Sequence, residues 1–406
     1  MRFLIFGWDF PYRQDSGIII GGGQQAHAFF IARELAKQHE VVALSIGYPQ
    51  ASHHEVIDGV EIFRFGRWEK KAQIWEAVFL NFKLLVEGFK LGVALIESRK
   101  PDFIISWQTP IRPVAFLLSK MYKIPFIATA HGLSGVTPLL QDFFRKRGKS
   151  FKDFVRLLQH ILDVLVIRSA DLIEIATTNW AKEKLVDHLG VDPEKCFISG
   201  NGVDIERYEY SENKEDLIVF IGAITARKRV DMAIRIFEQV RERMEDRDLR
   251  FYVIGDGPER DNLMRMHPPG VVFTGFVPED EKIELLRRAK IYLNCSYDES
   301  FNIPAVEALA CGAIPVLYDL PVLREVLRGG HGYLFRSEQE AVDFCIHLLR
   351  DEEERKKLAR AGRKFVEENY TWEMATKRFL EGLFRRFPCV NDTIPRNESG
   401  ETHFPK

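Results

Sequence analysis

The sequence predicts an α/β protein of two similar domains, each a parallel sheet covered by helices on both faces. Three observations lead to this prediction. The chain has 406 residues, more than one ordinary hydrophobic core accommodates. Short, unbroken apolar segments alternate with helical patterns along most of the chain, which is typical of strands buried on both faces. The turn signal Asn-Gly-Val-Asp at residues 201–204 separates two such blocks.

Each block supplies its own strands and helices, in alternation. In the first block, strands are expected at Phe3–Gly7, Val41–Ser45, Glu61–Phe65, Phe103–Ser106, Phe126–Ala130 and Leu172–Ala176, and helices at Gln24–Gln38, Ile74–Arg99 and Phe151–Ile167. In the second block, strands are expected at Leu217–Ile221, Arg250–Ile254, Val271–Thr274, Ile291–Cys295 and Ile314–Tyr318, and helices at Asp231–Glu245, Glu259–Met266, Glu279–Ala289 and Pro304–Ala310.

The pattern also predicts where the domains end. Residues 1–202 form the first domain and residues 203–370 the second, and two open α/β sheets of this kind are expected to face a shared cleft with the carboxyl ends of their strands. A helix over residues 371–387 follows the second domain and is expected to pack back on the first. The polar tail 388–406 is expected to be disordered.

Composition excludes several classes of protein. The net charge of −2 gives no electrostatic reason to bind nucleic acid. The five cysteines are scattered without the paired spacing of a zinc or redox site, which favours a reducing compartment. The apolar segment at Met1–Gly7 is too short for a secretory signal, and charged residues interrupt the stretch Val78–Ile96. A cytoplasmic protein is therefore expected.

The most informative segment is residues 298–312, Asp-Glu-Ser-Phe-Asn-Ile-Pro-Ala-Val-Glu-Ala-Leu-Ala-Cys-Gly. It follows an apolar strand, and Pro304 suits the first turn of a helix, so Glu299 should lie in the turn and Glu307 in the helix. The backbone N–H groups near Phe301, Asn302 and Ile303 would then favour a phosphate. Two carboxylates beside an anion site suit a nucleotide sugar. Alternatively, both glutamates simply complement the helix dipole on a solvated face.

Cations and glycines follow the other strands of the second block. Arg227 and Lys228 come after the strand at Leu217–Ile221, where they could clamp a diphosphate or form a solvated basic turn. The turns Gly255–Pro258 and Gly275–Pro278, which include Gly257, Phe276 and Val277, place compact backbone at two further strand ends, where a base could lie. Because the carboxyl ends of parallel strands share one edge of a sheet, these groups should converge with Glu299.

Three features lie outside that cluster. Gly22 belongs to a glycine run that opens a helix and would allow a ligand close to the backbone, although a flexible loop fits equally well. His131 ends a first-block strand, where a catalytic and a structural role are equally expected. The basic and aromatic segment Phe143–Lys152 could contact an anionic membrane peripherally, and a solvated loop is the alternative. The Asp-x-Asp at residues 246–248 is interpreted as surface charge, so no metal site is expected.

Taken together, these motifs resemble the retaining glycosyltransferases of family 4, which have the GT-B fold of two Rossmann-like domains. The resemblance extends from Met1 to about Phe387, and its strongest element is the Glu-x7-Glu signature, Glu299 to Glu307. The supporting matches are Gly21-Gly22-Gly23, Asn201-Gly202-Val203-Asp204, Arg227-Lys228, Gly255-Asp256-Gly257-Pro258, Gly275-Phe276-Val277 and Tyr370-Thr371-Trp372.

The resemblance implies a role for each candidate residue. Arg227 and Lys228 would bind the diphosphate of a nucleotide-sugar donor, Glu307 the ribose and Glu299 the transferred sugar, a hexose. His131 would lie near the reacting sugar and Gly22 near the phosphates or the hydroxyl acceptor. The reaction would keep the anomeric configuration and need neither metal nor cofactor.

Two positions depart from the family pattern. Asn302 stands where the family usually has Gly after Phe, so the contact with the donor sugar is expected to differ there. Ala223 stands where many members carry a cation, which leaves Arg227 and Lys228 as the main clamp.

Two other functions stay open at this stage: a sugar-nucleotide epimerase of the same fold, and a two-domain sugar-binding protein without catalysis. A nicotinamide dehydrogenase is disfavoured because no Gly-x-Gly-x-x-Gly follows any strand.

Overall fold

The computed structural model describes residues 1–14, 17–19, 22–67, 74–108, 110–131, 151–244, 248–266, 268–328 and 330–388. The expected tail 388–406, apart from Pro388, and the segment Phe143–Lys152, apart from its last two residues, lie outside these ranges, as do Asp246 and Arg247. The chain divides into two compact units. One contains residues 1–177, 182–200 and the chain from Ala375 on, and the other contains residues 178–181 and 201–374.

The first unit is built on an eight-stranded sheet. Its strands are β1 (Arg2–Phe6), β4 (Glu40–Ile46), β5 (His54–Ile57), β6 (Val60–Phe65), β7 (Phe103–Ser106), β8 (Phe126–Ala130), β9 (Leu172–Ile175) and β10 (Cys196–Ile198), in the order β10-β9-β8-β7-β1-β4-β6-β5. A short hairpin, β2 (Tyr12–Gln14) and β3 (Gly17–Ile19), is separate from it. The helices are α1 (Gly23–Ala36), α2 (Ile74–Arg99), α3 (Arg112–Tyr122), α4 (Phe151–Arg168) and most of α5 (Asn179–Leu189).

The second unit is built on a six-stranded, fully parallel sheet. Its strands are β11 (Glu215–Ile221), β12 (Arg250–Ile254), β13 (Val271–Gly275), β14 (Ala289–Asn294), β15 (Ile314–Tyr318) and β16 (Tyr333–Phe335), in the order β13-β12-β11-β14-β15-β16. The helices are α6 (Val230–Glu242), α7 (Arg260–Arg265), α8 (Glu279–Arg288), α9 (Ile303–Cys311), α10 (Pro321–Val326), α11 (Glu338–Arg350) and α12 (Glu352–Asn369). Separate apolar cores lie on the two faces of this sheet.

The last helix, α13 (Trp372–Arg386), packs mainly on the first unit. Phe379 contacts Phe197 edge-on with ring centroids 5.7 Å apart, and Arg378 donates to the carbonyl of Ser199 at 2.9 Å. Gly382 lies so close to the Phe197 ring that a Cβ there would approach it to 2.3 Å. Three positions along this helix are therefore fixed by contacts near β10.

Every strand expected from the sequence is present, within two residues of its expected limits, and every expected helix within three. One expectation needs correction, because the first sheet is not wholly parallel. Its edge strand β5 pairs antiparallel with β6 through a tight turn at Asp58-Gly59, where both residues have positive φ, 48° and 84°. An Asp-Gly turn with two left-handed residues matches the twist of a hairpin, which explains the reversal.

Candidate functional site

Three charged candidate residues of the second unit follow the two central strands of its sheet. Arg227 and Lys228 follow β11, and Glu299 follows β14, which is the hydrogen-bonded neighbour of β11. Strands β11, β12 and β13 follow one another toward one edge of the sheet, and strands β14, β15 and β16 follow one another toward the other edge. This is a topological switch point, where the loops at the carboxyl ends diverge and leave a crevice for a ligand.

A short 3-10 turn, Ala226–Lys228, presents the two cations. The Lys228 Nζ lies 2.6 Å from Glu299 Oε1, and an Arg227 guanidinium nitrogen lies 3.9 Å from Glu299 Oε2. Arg227 also donates to the carbonyl of Asp298, and its own carbonyl accepts from the N–H of Tyr297 at 3.2 Å. Lys228 is largely buried whereas the Arg227 side chain is 40% exposed, so Arg227 is the cation with surface available for an anion.

In the turn between β14 and α9, Asn302 adopts a backbone conformation that is typical of glycine. Its φ of 76° and ψ of 66° lie in the left-handed region, where Asn is among the few non-glycine residues that are tolerated. The Oδ1 of Asn302 accepts from the N–H of Ala305 at 3.2 Å and from the Tyr292 hydroxyl at 2.9 Å. Asn302, at a position where the family usually has glycine, thus keeps the backbone geometry of glycine and adds a cap to α9. Its Nδ2 is buried without a partner.

A second ionic cluster surrounds Glu307 within α9. The Lys282 Nζ lies 3.0 and 3.1 Å from the two carboxylate oxygens, and the Tyr208 hydroxyl donates to Oε1 at 2.8 Å. Glu279 contacts both Lys282, at 3.0 Å, and the Tyr208 hydroxyl. Burial raises the pKa of Glu307, and the charge of Lys282 opposes that shift. Burial alone would lower the pKa of Lys282, but the charges of Glu307 and Glu279 outweigh it and raise that pKa.

These contacts exclude the solvated-face interpretation of the two glutamates. Glu299 is 7% exposed and Glu307 8% exposed, and each carboxylate contacts a lysine. Both also lie near the fully buried Tyr292, whose pKa is raised by burial first, then by the charge of Glu299, and less by that of Glu307. Carboxylates held this far from water do more than complement a helix dipole, because their desolvation needs compensation by partners.

The neighbouring strand ends approach one another closely through glycines. A Cβ on Gly255 would lie 2.1 Å from the carbonyl oxygen of Gly222, and a Cβ on Gly257 would lie 2.3 Å from that of Ile224. These positions therefore need glycine in order to bring the loops after β11 and β12 together. After β13, Phe276 is 78% exposed and Val277 is partly buried against the core. The Phe301 ring, by contrast, is buried against Tyr370, so only its backbone is available to a ligand.

In the first unit, His131 follows β8 and belongs to a buried polar network. Its Nε2 lies 3.1 Å from the carbonyl of Trp107, which can only accept, so Nε2 carries the proton. Its ring packs edge-on against that of His27, with centroids 5.2 Å apart. Burial, reinforced by the charge of His27, lowers the pKa of His131 to about 3. His131 is therefore a neutral imidazole at ordinary pH, with Nδ1 as an acceptor.

Glu174, at the centre of this network, is fully buried on β9. Its Oε1 accepts from His27 at 3.1 Å and from the Ser199 hydroxyl at 2.6 Å. Its Oε2 accepts from the Trp107 indole at 3.1 Å and from the Thr129 hydroxyl at 2.5 Å. Burial would raise the pKa of Glu174, but His27 and the other donors outweigh it and lower that pKa to about 2. One carboxylate thus joins α1 to the carboxyl ends of β7, β8, β9 and β10.

Gly22 lies at the N-cap of α1, exposed, with a positive φ of 158° and no atom within 4 Å of where a Cβ would stand. Its neighbour Gly21 is outside the described residues. At Gly22 the chain therefore shows an open backbone position, and its φ is one that residues with a side chain rarely adopt.

The sequence interpretation missed four residues that the structure joins to these clusters. Tyr208 and Lys282 flank Glu307, and His27 and Glu174 lie beside His131. Glu174 carries a usable signal, since a lone carboxylate inside the apolar strand Leu-Ile-Glu-Ile needs a buried partner. Lys282 carries no such sequence signal, because it resembles any other charged residue in the first turn of a surface helix.

Within the described part of the chain, a candidate cation site lies away from the two glutamates, and no helix could cross a membrane. One group of three side chains could hold a cation, His347, Asp351 and Glu354, and these lie at the junction of α11 and α12 and not beside Glu299 or Glu307. Across the same ranges, none of the helices combines the length and the apolarity that crossing a bilayer requires.

Comparison with known proteins identifies the same two regions. Residues 204–365 match the family described as Glycosyl transferases group 1, and residues 21–207 match Glycosyltransferase Family 4. A D-inositol 3-phosphate glycosyltransferase of Corynebacterium glutamicum is 26% identical, with 99% of this chain and all of that protein covered. An uncharacterised glycosyltransferase of Methanocaldococcus jannaschii is 21% identical over 93% of this chain and 96% of its own length.

Solved structures agree in fold. Sucrose-phosphate synthase from Thermosynechococcus elongatus superposes with a TM-score of 0.76 at 15% identity, with 96% of this chain and all of that chain covered. Anabaena HepE, solved in complex with UDP-glucose, superposes with a TM-score of 0.69 at 14% identity, over 95% of this chain and all of that chain. At such identities the likeness establishes the fold alone.

Proposed function

Because the chain belongs to the family 4 glycosyltransferases of the GT-B fold, we propose that its donor is a nucleotide diphosphate sugar and that transfer retains the anomeric configuration. The acceptor is a hydroxyl group of a glycan, a lipid-linked sugar or a small molecule, and the transferred sugar is a hexose. A hexose donor is proposed because HepE, which has the same fold, was solved in complex with UDP-glucose.

One observation supports the donor assignment above all others: Arg227, Lys228 and Glu299 converge at the switch point of the second sheet. A ligand there meets a partly exposed guanidinium, an internal ion pair and the N-terminus of α9 within one crevice. Guanidinium groups bind phosphate oxygens bidentately, and helix N-termini favour anions. A sugar diphosphate is the ligand class whose phosphates need cations and whose sugar hydroxyls need a hydrogen-bond acceptor close by.

In the proposed mechanism, Arg227 and the α9 N-terminus stabilise the charge that develops on the diphosphate as the glycosidic bond to it breaks. Protein cations and dipoles supply this stabilisation, so the reaction is proposed to need no metal and no cofactor. Lys228 holds the Glu299 carboxylate in place through a 2.6 Å hydrogen bond, so that the carboxylate can accept hydrogen bonds from hydroxyls of the transferred sugar.

Glu307 is proposed to accept hydrogen bonds from the ribose. Its carboxylate has about four acceptor positions, and Lys282 and Tyr208 occupy three of them. Gly257 with Phe276 and Val277 would line the base, while the backbone from Phe301 through Asn302 to Ile303 would line the phosphate and sugar.

Two residues of the first unit complete the proposal. His131, kept neutral by burial, would present its Nδ1 as an acceptor to a hydroxyl of the reacting sugar. Gly22 would let the phosphates or the acceptor approach the N-terminus of α1.

The test begins with thermal stabilisation by UDP-, GDP- and ADP-linked hexoses, because a ligand that binds the native state raises its apparent stability. Transfer is then followed with the donor that binds best, and the anomeric configuration of the product is read by NMR. Lys228→Met should abolish transfer. Lys290→Met is the matched control, since Lys290 has the same 13% exposure and also contacts a carboxylate, but at the opposite end of β14. Equal activity of the two folded variants would refute the assignment.

A further inference from the structure

The first unit carries an apolar surface that no part of the proposed reaction uses. Twelve large apolar side chains are exposed in the described ranges, and six of them lie on only two helices, α3 and α4. We call these six the apolar face: Leu117, Met121, Leu158, Ile161, Leu162 and Leu165. Each is between 44% and 57% exposed. A patch of this kind on a folded protein marks an interaction surface.

Helical periodicity explains why four of them share one side of α4. Positions 158, 161, 162 and 165 follow the spacing i, i+3, i+4 and i+7, which places them in one stripe. The opposite side of α4 is buried, with Val166 and Ile167 in the core. The helix is therefore apolar on two sides, one packed in the unit and one open.

Two ion pairs show how α3 lies beside α4. Arg112 contacts Asp163 at 2.7 Å, and Lys120 contacts Asp171 at 3.2 Å. Each pair joins residues that are 51 positions apart, so the helices run side by side in the same direction. Leu117 and Met121, one turn apart on α3, add two exposed apolar side chains on this neighbouring helix.

Cations are exposed beside this surface, and the carboxylates between the two helices each face a cation. Arg168 is exposed at the end of α4 and Lys123 follows α3 directly, whereas Asp163 faces Arg112 and Asp171 faces Lys120. In a symmetric dimer through this face, the same cations would oppose each other across the two-fold axis. An anionic surface complements them.

We propose that the apolar face docks the protein peripherally on an anionic lipid bilayer. The leucines and isoleucine enter the boundary between headgroups and acyl chains, while Lys123 and Arg168 contact lipid phosphates. This inference goes beyond the proposed function, because membrane docking is independent of which donor binds the second unit.

Flotation of the full chain with vesicles tests the proposal. Vesicles of phosphatidylcholine with 30% phosphatidylglycerol, roughly the anionic content that polybasic surfaces need, should bind the protein, and pure phosphatidylcholine vesicles should bind it weakly. Leu158→Gln/Leu165→Gln should lower the partition coefficient about tenfold. The control Val56→Gln/Met266→Gln, which replaces two equally exposed apolar side chains elsewhere, should leave it unchanged. Lys123→Gln/Arg168→Gln should weaken binding roughly tenfold, to anionic vesicles only.

Three results would overturn the proposal. The first is no binding of the unmodified chain to anionic vesicles. The second is equal binding by the leucine variant and its control, which would assign the contact to another part of the chain. The third is a dimer in sedimentation velocity that the leucine variant alone abolishes, which would make the face an interface between copies. Nucleotide binding, measured on the same variants, should not change, so failure here leaves the donor assignment intact.

Discussion

The ion pair between Lys228 and Glu299 allows stability and activity to be separated by a double-mutant cycle. Lys228→Met leaves the Glu299 carboxylate buried, with Arg227 as its remaining cation at 3.9 Å. Removing one partner of a buried pair costs about 3–5 kcal/mol, because the other charge stays desolvated. The residual contact with Arg227 places the expected loss at the lower limit, about 3 kcal/mol.

The double variant Lys228→Met/Glu299→Gln removes the stranded charge. Replacing a buried ion pair by uncharged groups is often neutral, so most of the lost stability should return. Activity should not return, because the carboxylate that is proposed to bind the donor sugar and the cation that holds it in place are both gone. Lys228→Met alone should lower Tm by about 6–12 °C for a unit of this size, and the double variant by a few degrees at most.

Urea unfolding gives the free energies, and transfer from the donor identified by thermal stabilisation gives the activity. Lys290→Met reports what an equally buried lysine costs away from the site. The reasoning would be refuted if the double variant regained both stability and transfer, since the pair would then be a structural element only. It would also be refuted if Lys228→Met were as stable as the unmodified protein, because Glu299 would then not depend on Lys228.

Three further predictions concern single residues. Lys282→Met should weaken nucleotide binding, and more so as pH falls, because Glu307 loses the cation that opposes its raised pKa and takes up a proton; calorimetric titration at a series of falling pH values measures this. Asn302→Ala should cost about 2–3 kcal/mol of unfolding free energy, through left-handed strain and the lost cap, and Asn302→Gly less; equal losses would show that φ is unimportant there. His131→Gln should reduce the loss of unfolding free energy that occurs as the pH falls. The pKa of His131 is lowered to about 3, so the unfolded chain binds a proton below pH 6.5 that the native state refuses until pH 3, and unfolding free energy falls across that window. An unchanged pH slope would contradict a buried neutral His131.

Most of the second unit could be predicted because recognisable turn residues separate its strands and helices in the sequence. Buried parallel strands are unbroken apolar runs, and glycine or proline turns follow β11, β12 and β13, so the alternation shows clearly. The elements that were missed lack this contrast. The strands β10 and β16 have three residues each, which is too short for a pattern. Helices α11 and α12 are rich in charge, and their packing is decided by the tertiary structure.

The two polar clusters differ in how far the sequence predicts them, and the reason is distance along the chain. Glu299 and its helix N-terminus come from one segment, so local rules place the anion site before any fold is known. Lys282 and Glu307 are 25 residues apart on different helices, and Glu174 meets groups 25 to 147 residues away. A single sequence contains the partners but not their pairing. Only the sheet order, which brings β7, β8, β9 and β10 side by side, turns an isolated Glu174 into a carboxylate with every acceptor position filled. The sequence predicts only that partners exist, because a charged residue in a buried apolar strand needs them. Which residues these partners are depends on the fold.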